Sequence, residues 1–204
     1  SRGLAGELLV EPLDLTDLSA VTAWAEGLEA RCGEVSAVIH NAGVDDFQPS
    51  ELASAEHIER QLALNLSAPA LINRALLPAL LKRGSRCRFV HMSSVAGYLP
   101  TPFGAVYSAS KAGLWAYSEA LAVEYAHTPL RFVTLHPGFV NGTGMHELHK
   151  EKAGPAPFSL GGTTDQAVLK ATLKALLQGE ALKSGPIIIN RNPTRPLVVL
   201  THLA

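Results

Sequence analysis

The sequence predicts an α/β fold: a parallel sheet flanked by helices, in one domain. Three observations carry that reading. Short apolar runs rich in Val, Ile and Leu alternate with longer runs of helical periodicity. The short runs are apolar throughout, as strands covered on both faces are. Clusters of Gly, Asn, Ser and Pro stand where the apolar runs stop.

The elements follow in order. Leu8–Leu15 (LLVEPLDL) reads as a strand. Asp17–Cys32 reads as a helix, with Leu18, Val21, Ala25 and Leu28 on one stripe and Gly33 as its stop. Ser36–Asn41 is a short buried strand, and Ser54–Arg83 is a long helix ended by Gly84. Cys87–Ser93 is a strand, Ala105–His127 a helix with Pro129 beyond it, and Arg131–His136 another strand. Asn141–Gly162, rich in Gly, Pro and His, reads as a loop or mobile lid. Thr163–Gln178 is a helix and Gly185–Asn190 a last strand; Asn192–Leu203 is an apolar tail.

Composition narrows the class. With 204 residues the chain can bury one core, and no repeat or second domain is visible. A net charge of −1 gives no electrostatic reason to expect nucleic acid as a partner. No apolar run approaches the ~20 residues that span a bilayer, so no membrane partner is expected. Cys32 and Cys87 are isolated, which points to a reduced, cytoplasmic setting rather than a disulfide framework.

Sheets of this type bind ligands beyond the carboxyl ends of their strands. The unusual residues fall there: His40-Asn41-Ala42-Gly43, Ser93-Ser94 and His136-Pro137-Gly138. His40, His91 and His136 lie on successive strands; buried, hydrogen-bonded imidazoles are expected there rather than a metal cluster. Tyr107 and Lys111 are spaced to share one helix face. A phenol titrates at about 10, so an ammonium beside it would favour its ionised form. Asn65 falls on or near the apolar stripe of its helix. Pro69, four residues on, has no N–H to give the Asn65 carbonyl.

These motifs together resemble the short-chain dehydrogenase/reductase family. The resemblance runs from Leu13 to Asn190: Asp14 after a strand, N-A-G at Asn41–Gly43, Asn65, Ser94, Y-x-x-x-K at Tyr107 and Lys111, then Pro137-Gly138. Ser94 stands thirteen residues before Tyr107, as in the family. The resemblance implies a Rossmann-like sheet and an NAD(P)-dependent oxidoreductase that interconverts an alcohol and a carbonyl. Its partner would be a small-molecule alcohol or carbonyl substrate, and its assembly a homodimer or homotetramer. Tyr107 would be the general acid/base, Ser94 would hold the substrate oxygen, and Lys111 would stabilise the phenolate and bind the nicotinamide ribose. The Asn65 carbonyl would hold a water in a relay to Lys111. The cofactor, NAD or NADP, would meet Asp14 and Leu15 at the adenine, Asn41, Ala42 and Gly43 along the backbone, and Pro137, Gly138 and Val140 beside the nicotinamide. Thr143, one position off the family's pyrophosphate-binding threonine, is a doubtful contact.

The chain departs from the family at its start. Ser1–Gly6 (SRGLAG) only superficially echoes the glycine-rich loop, because a helix and a strand should separate that loop from Asp14. The expectation is a single, partial dinucleotide-binding domain over residues 1–204. Its two N-terminal strands would be absent from the given chain, leaving strand edges exposed. Met145, His146, Leu148 and Phe158 would lie in the substrate lid. Two other readings share the motifs: a sugar-nucleotide epimerase or dehydratase relative, and a cofactor-deficient scaffold or dimerisation module. Only 66 residues follow Gly138, which leaves little room for the larger substrate domain of the former.

Overall fold

A computed structural model describes residues 9–141, 162–177 and 185–189. The lid candidates Met145, His146, Leu148 and Phe158, together with Thr143, Ser1–Gly6 and the tail Asn192–Leu203, lie outside the described residues. The first helical run begins at α1 (Leu18–Glu26), where the Asp17 carboxylate accepts from the N–H groups of Ser19 and Ala20. It is not the single helix expected over Asp17–Cys32. Gly27 breaks it, and a separate turn of helix follows, α2 (Leu28–Cys32). A Cβ at Gly27 would come within 2.6 Å of an Arg31 guanidinium nitrogen. Arg31 in turn pairs with Glu11 at 2.9 Å and so ties down the preceding segment.

Four parallel strands form the main sheet in the order β1 (Ala37–His40), β2 (Arg88–Met92), β3 (Arg131–Pro137) and β6 (Gly185–Ile189). A two-stranded parallel ribbon joins β4 (Phe139–Asn141) to β5 (Gly162–Thr164). The sequence pattern did not anticipate this ribbon. It also shortens the expected Thr163–Gln178 helix: Thr163 and Thr164 are strand, and α6 runs Asp165–Leu177. The Thr164 hydroxyl accepts from the Ala167 N–H at the start of α6.

Leu9–Leu15 is not a strand, contrary to the sequence expectation. A strand needs a ladder partner, and none of the described strands pairs with this segment. Leu13 and Leu15 nevertheless pack on the core. β1 is an edge of the sheet, with Ile39 44% exposed.

The long helix is continuous from Ala55 to Arg83. Its first part, α3 (Ala55–Leu62), is capped by the Ser54 hydroxyl; α4 (Ala68–Arg83) ends at left-handed Gly84. Between them Ala63–Ser67 widens into a π turn. Pro69 follows at once, and a π turn is one way a helix absorbs a missing N–H. At 29 residues this run meets the length and apolarity of a membrane span, which the sequence reading had not expected. Its apolar residues Ile72, Leu76 and Leu80 are instead buried against α1 and the sheet, the pattern of a core helix. α5 (Ala105–Glu124) packs on the same face, and α6 covers the other over Val90, Met92, Val133 and Leu135. α5 stops short of the predicted His127, where a turn closed by Thr128 leads into β3.

A polar thread crosses the core between α4, β1, β2 and α5. His40 Nε2 donates to Asn73 Oδ1 at 2.7 Å, Asn73 Nδ2 donates to His91 Nε2 at 2.9 Å, and His91 Nδ1 donates to the Ser118 hydroxyl at 2.9 Å. The two imidazoles stack 5.0 Å apart. Burial holds His40 down to about 4 and His91 well below the usual histidine range. Both are therefore neutral at pH 7 and bind protons more weakly than in the unfolded chain. Stability is lost as pH falls from about 6.5 toward 4, by roughly 3 kcal/mol for His40 alone. Urea midpoints measured across that window should drop steadily, and His40→Gln should flatten the slope.

Candidate active site

The carboxyl ends of β1, β2 and β3 open into a cavity of about 810 Å³. Asn41 and Gly43 enter it after β1, Ser93 and Ser94 after β2, and Pro137, Gly138 and Val140 after β3. Tyr107 and Lys111 come from the first half of α5, one turn apart. A tight turn, Val95–Gly97, brings Ser94 against them; the Ser94 hydroxyl accepts from the Ala96 N–H at 3.1 Å. A Cβ at Gly97 would meet the α5 backbone at Lys111 and Ala112 at 3.1 Å, so this turn lies flat against the helix only with glycine there.

Lys111 is 4% exposed. Its Nζ donates to the Met92 carbonyl at 2.9 Å and lies 5.8 Å from the Tyr107 ring centre. Ser93 donates to the Lys111 carbonyl at 2.8 Å, tying α5 to the end of β2. Burial pulls the Lys111 ammonium down to about 8, against the opposing pull of Asp45. Burial pushes the Tyr107 phenol up to about 12; the Ser94 hydrogen bond works against that rise and the Asp45 charge adds to it. This corrects the sequence expectation of a phenol already made acidic by Lys111. Desolvation is the largest influence on the phenol, while the Lys111 nitrogen lies 5.8 Å from the ring centre and donates to Met92.

Asn65 stands behind the cavity wall, fully buried. Its Oδ1 accepts from the Val44 N–H at 2.9 Å, and its Nδ2 donates to the Val44 carbonyl at 2.8 Å and the Ser110 hydroxyl at 3.0 Å. Ser110 donates to the Tyr107 carbonyl at 2.7 Å. One side chain thus joins the loop after β1 to the turn of α5 that carries Tyr107. Gly43 sits in the angle: a Cβ there would be 3.1 Å from Lys111 Nζ and 3.2 Å from Asn65 Oδ1.

The other expected site residues are placed differently. Asp14 is exposed, and its carboxylate accepts from the Thr16 N–H and hydroxyl at 2.9 and 2.7 Å. Leu15 packs on the core, and neither it, Asp14 nor Ala42 lines the cavity. His136 lies apart from the His40–His91 pair, with Nδ1 against the Ser94 carbonyl at 3.2 Å and Tyr98 and Trp115 around its ring. Among the described residues no three His, Cys, Asp or Glu side chains gather as a metal site. Sequence reasoning placed Ser93 at the ligand-binding strand ends but missed Ser110, Asp45 and Phe47, whose ring lies 5.8 Å from that of Tyr107. The Asp45-Asp46 pair, separated from Asn41–Gly43 by Val44 alone, was a visible signal.

A family model described as "short chain dehydrogenase" matches residues 2–154. The chain belongs to the short-chain dehydrogenase family. Curated members similar to it include the ketoacyl reductase HetN of Nostoc sp., 31% identical over 94% of this chain and 64% of that protein. An uncharacterized oxidoreductase of Myxococcus xanthus is 33% identical over 97% of this chain and 76% of its own length. The chain therefore spans 64% and 76% of the length of these two relatives, less than two thirds of the first. Among solved structures, a metagenomic short-chain oxidoreductase in complex with NADP superposes with a TM-score of 0.75 at 25% identity, covering 92% of this chain and 76% of that one. A short-chain dehydrogenase from Streptomyces avermitilis gives 0.71 at 30% identity, covering 87% and 68%. The parallel sheet flanked by helices is thus the Rossmann-like fold of this family.

Asn65→Leu removes three hydrogen bonds and leaves the Val44 amide groups without their partner. It should lower stability by about 3 kcal/mol, read as a shift in urea midpoint.

Proposed function

We propose that the protein is an NAD(P)-dependent oxidoreductase that interconverts an alcohol and a carbonyl compound, with Tyr107 as general acid/base. The observation that carries this reading is the meeting of three groups at one apolar cavity wall. The Tyr107 phenol and Ser94 line it together, and a buried ammonium, Lys111, lies one turn behind. The NADP complex of a 25% identical relative supports the cofactor class.

The residues present fit the nicotinamide end of such a cofactor. Glycine at position 43 leaves the backbone open beside Lys111, and the Lys111 ammonium has three N–H donors of which Met92 takes one. Lys111 would hold the ribose hydroxyls, and Pro137, Gly138 and Val140 would flank the ring. Asp14 and Leu15 remain the proposed adenine contacts, though they stand away from this cavity. A bound nicotinamide supplies or accepts the hydride at the substrate carbon.

The chain's own task is the proton. Ser94 Oγ holds the substrate oxygen beside Tyr107 Oη, which gives that oxygen a proton in reduction and takes one in oxidation. With Tyr107 pushed up to about 12, the phenol keeps its proton at neutral pH and is ready as an acid. Lys111 brings positive charge near the ring while it stays protonated, below about pH 8. Asn65 acts as a positioning residue through Val44 and Ser110. Its backbone carbonyl, which gets no N–H from Pro69, is the proposed acceptor for a water that relays protons toward Lys111. The long helices α3–α4 and α5 are the proposed seam of a homodimer.

Initial rates of carbonyl reduction with NADH and NADPH test the reading. Tyr107→Phe should reduce turnover by about 10²–10⁴-fold while the protein stays folded. Equal turnover in the variant would remove Tyr107 from the chemistry. The rate of reduction should also fall as pH rises through about 8, where Lys111 gives up its charge. A rate that stays level from pH 7 to 10 would contradict the part assigned to that ammonium.

A further inference from the structure

The opposite end of the same strands carries a second concentration of charge. β2 and β3 both begin on arginine, and Arg88 and Arg131 are register partners in the ladder. Parallel neighbours at one rung point to the same face of the sheet, about 4.8 Å apart at the backbone. The next rung, Phe89 and Phe132, turns the other way and stacks at 4.9 Å in the main core. Two like charges side by side on a sheet repel. No ion pair between described residues relieves either one: the carboxylates in such pairs are Glu11, Asp46 and Glu29, held by Arg31, His57 and Arg83.

Two further details make this a shaped site rather than a basic surface. Arg88 Nε is buried with no hydrogen-bond partner. Arg131 Nη1 donates to the carbonyls of Thr128 at 2.6 Å and Leu130 at 2.7 Å, which fixes its guanidinium by the turn after α5. Both arginines line a cavity of about 280 Å³, with Arg86, His127 and Thr128 completing the polar part of its wall. That volume falls below the roughly 300–1,000 Å³ of pockets for drug-sized ligands.

We infer that this cavity binds a small phosphoryl anion, inorganic phosphate or the phosphate of a compact monoester, between the guanidinium groups of Arg88 and Arg131. A guanidinium offers paired, parallel N–H donors that match phosphate oxygens, and the anion would cancel the repulsion across the rung. The site lies at the amino ends of β2 and β3, whose carboxyl ends bear Ser94 and Pro137, so its ligand would not touch the reacting atoms.

The test is thermal unfolding of the full chain with rising inorganic phosphate at constant ionic strength, set by sodium chloride. A saturable rise in Tm is expected, since a ligand of the folded state alone stabilises it by mass action. Calorimetry on the same protein gives Kd, and methyl phosphate in place of inorganic phosphate tells whether the site accepts an ester. Arg88→Gln with Arg131→Gln should weaken binding about tenfold or more. Lys111→Met, in the other cavity, should leave the phosphate response intact and so separates this site from the cofactor's. If the double variant does not fold, Arg131→Lys keeps the charge but loses the fork, and phosphorus NMR line broadening should show weaker binding. An equal rise from chloride alone, no saturation, or unchanged affinity in both arginine variants would overturn the inference.

Discussion

The site depends on keeping an ammonium buried. Lys111 is almost without solvent, and desolvation of a charge is expensive unless neighbouring groups compensate. The chain makes room for it with two glycines and holds it with one carbonyl. Gly43 leaves space above Nζ, Gly97 lets the turn after β2 lie on the α5 backbone, and Met92 supplies the acceptor. A side chain at either glycine would push against Lys111, its backbone or Asn65. The spacing of Tyr107 and Lys111 thus gains meaning only because the loops after β1 and β2 carry no bulk there.

The second support is a single helix with two buried asparagines. Asn65 clamps the loop after β1, and Asn73 threads the imidazoles of β1 and β2. Eight residues at about 100° each would leave the two side chains some 80° apart on a regular helix. The π turn Ala63–Ser67 turns less per residue, which brings them nearer to one face. The helix irregularity therefore serves both asparagines. It sits where Pro69 already denies the Asn65 carbonyl its usual donor.

Strands and helices were largely legible because their signals are local. Ser54 and Gly84 bound the long helix as caps should, and the three strands from Ala37, Arg88 and Arg131 fall within a residue or two of the apolar runs. Failures arose where the outcome depends on a neighbour. LLVEPLDL has the composition of a strand but no described strand to pair with, and Thr163-Thr164 pairs with Val140-Asn141 across a long interval that no local pattern reveals. In the site, the residue types and their order could be read in the sequence. The clamp of Asn65 on Val44 and Ser110 could not, nor could the rung shared by Arg88 and Arg131. Both are facts of register and fold.

Protonation is where composition misleads most. An ammonium near a phenol suggests an ion pair, with the ring ionised by its neighbour's charge. Here burial acts on both groups and moves them toward each other from opposite sides, the phenol up to about 12 and the ammonium down to about 8. The crossing needed for an ion pair does not occur: between pH 7 and 8 both groups still hold their protons. Asp45 raises both, so its charge favours the same doubly protonated state. Under the proposed function, a phenol in this state would serve as the acid in carbonyl reduction. Running the reverse reaction requires the phenol to lose its proton first, at a cost of ~1.4 kcal/mol for each pH unit below its pKa.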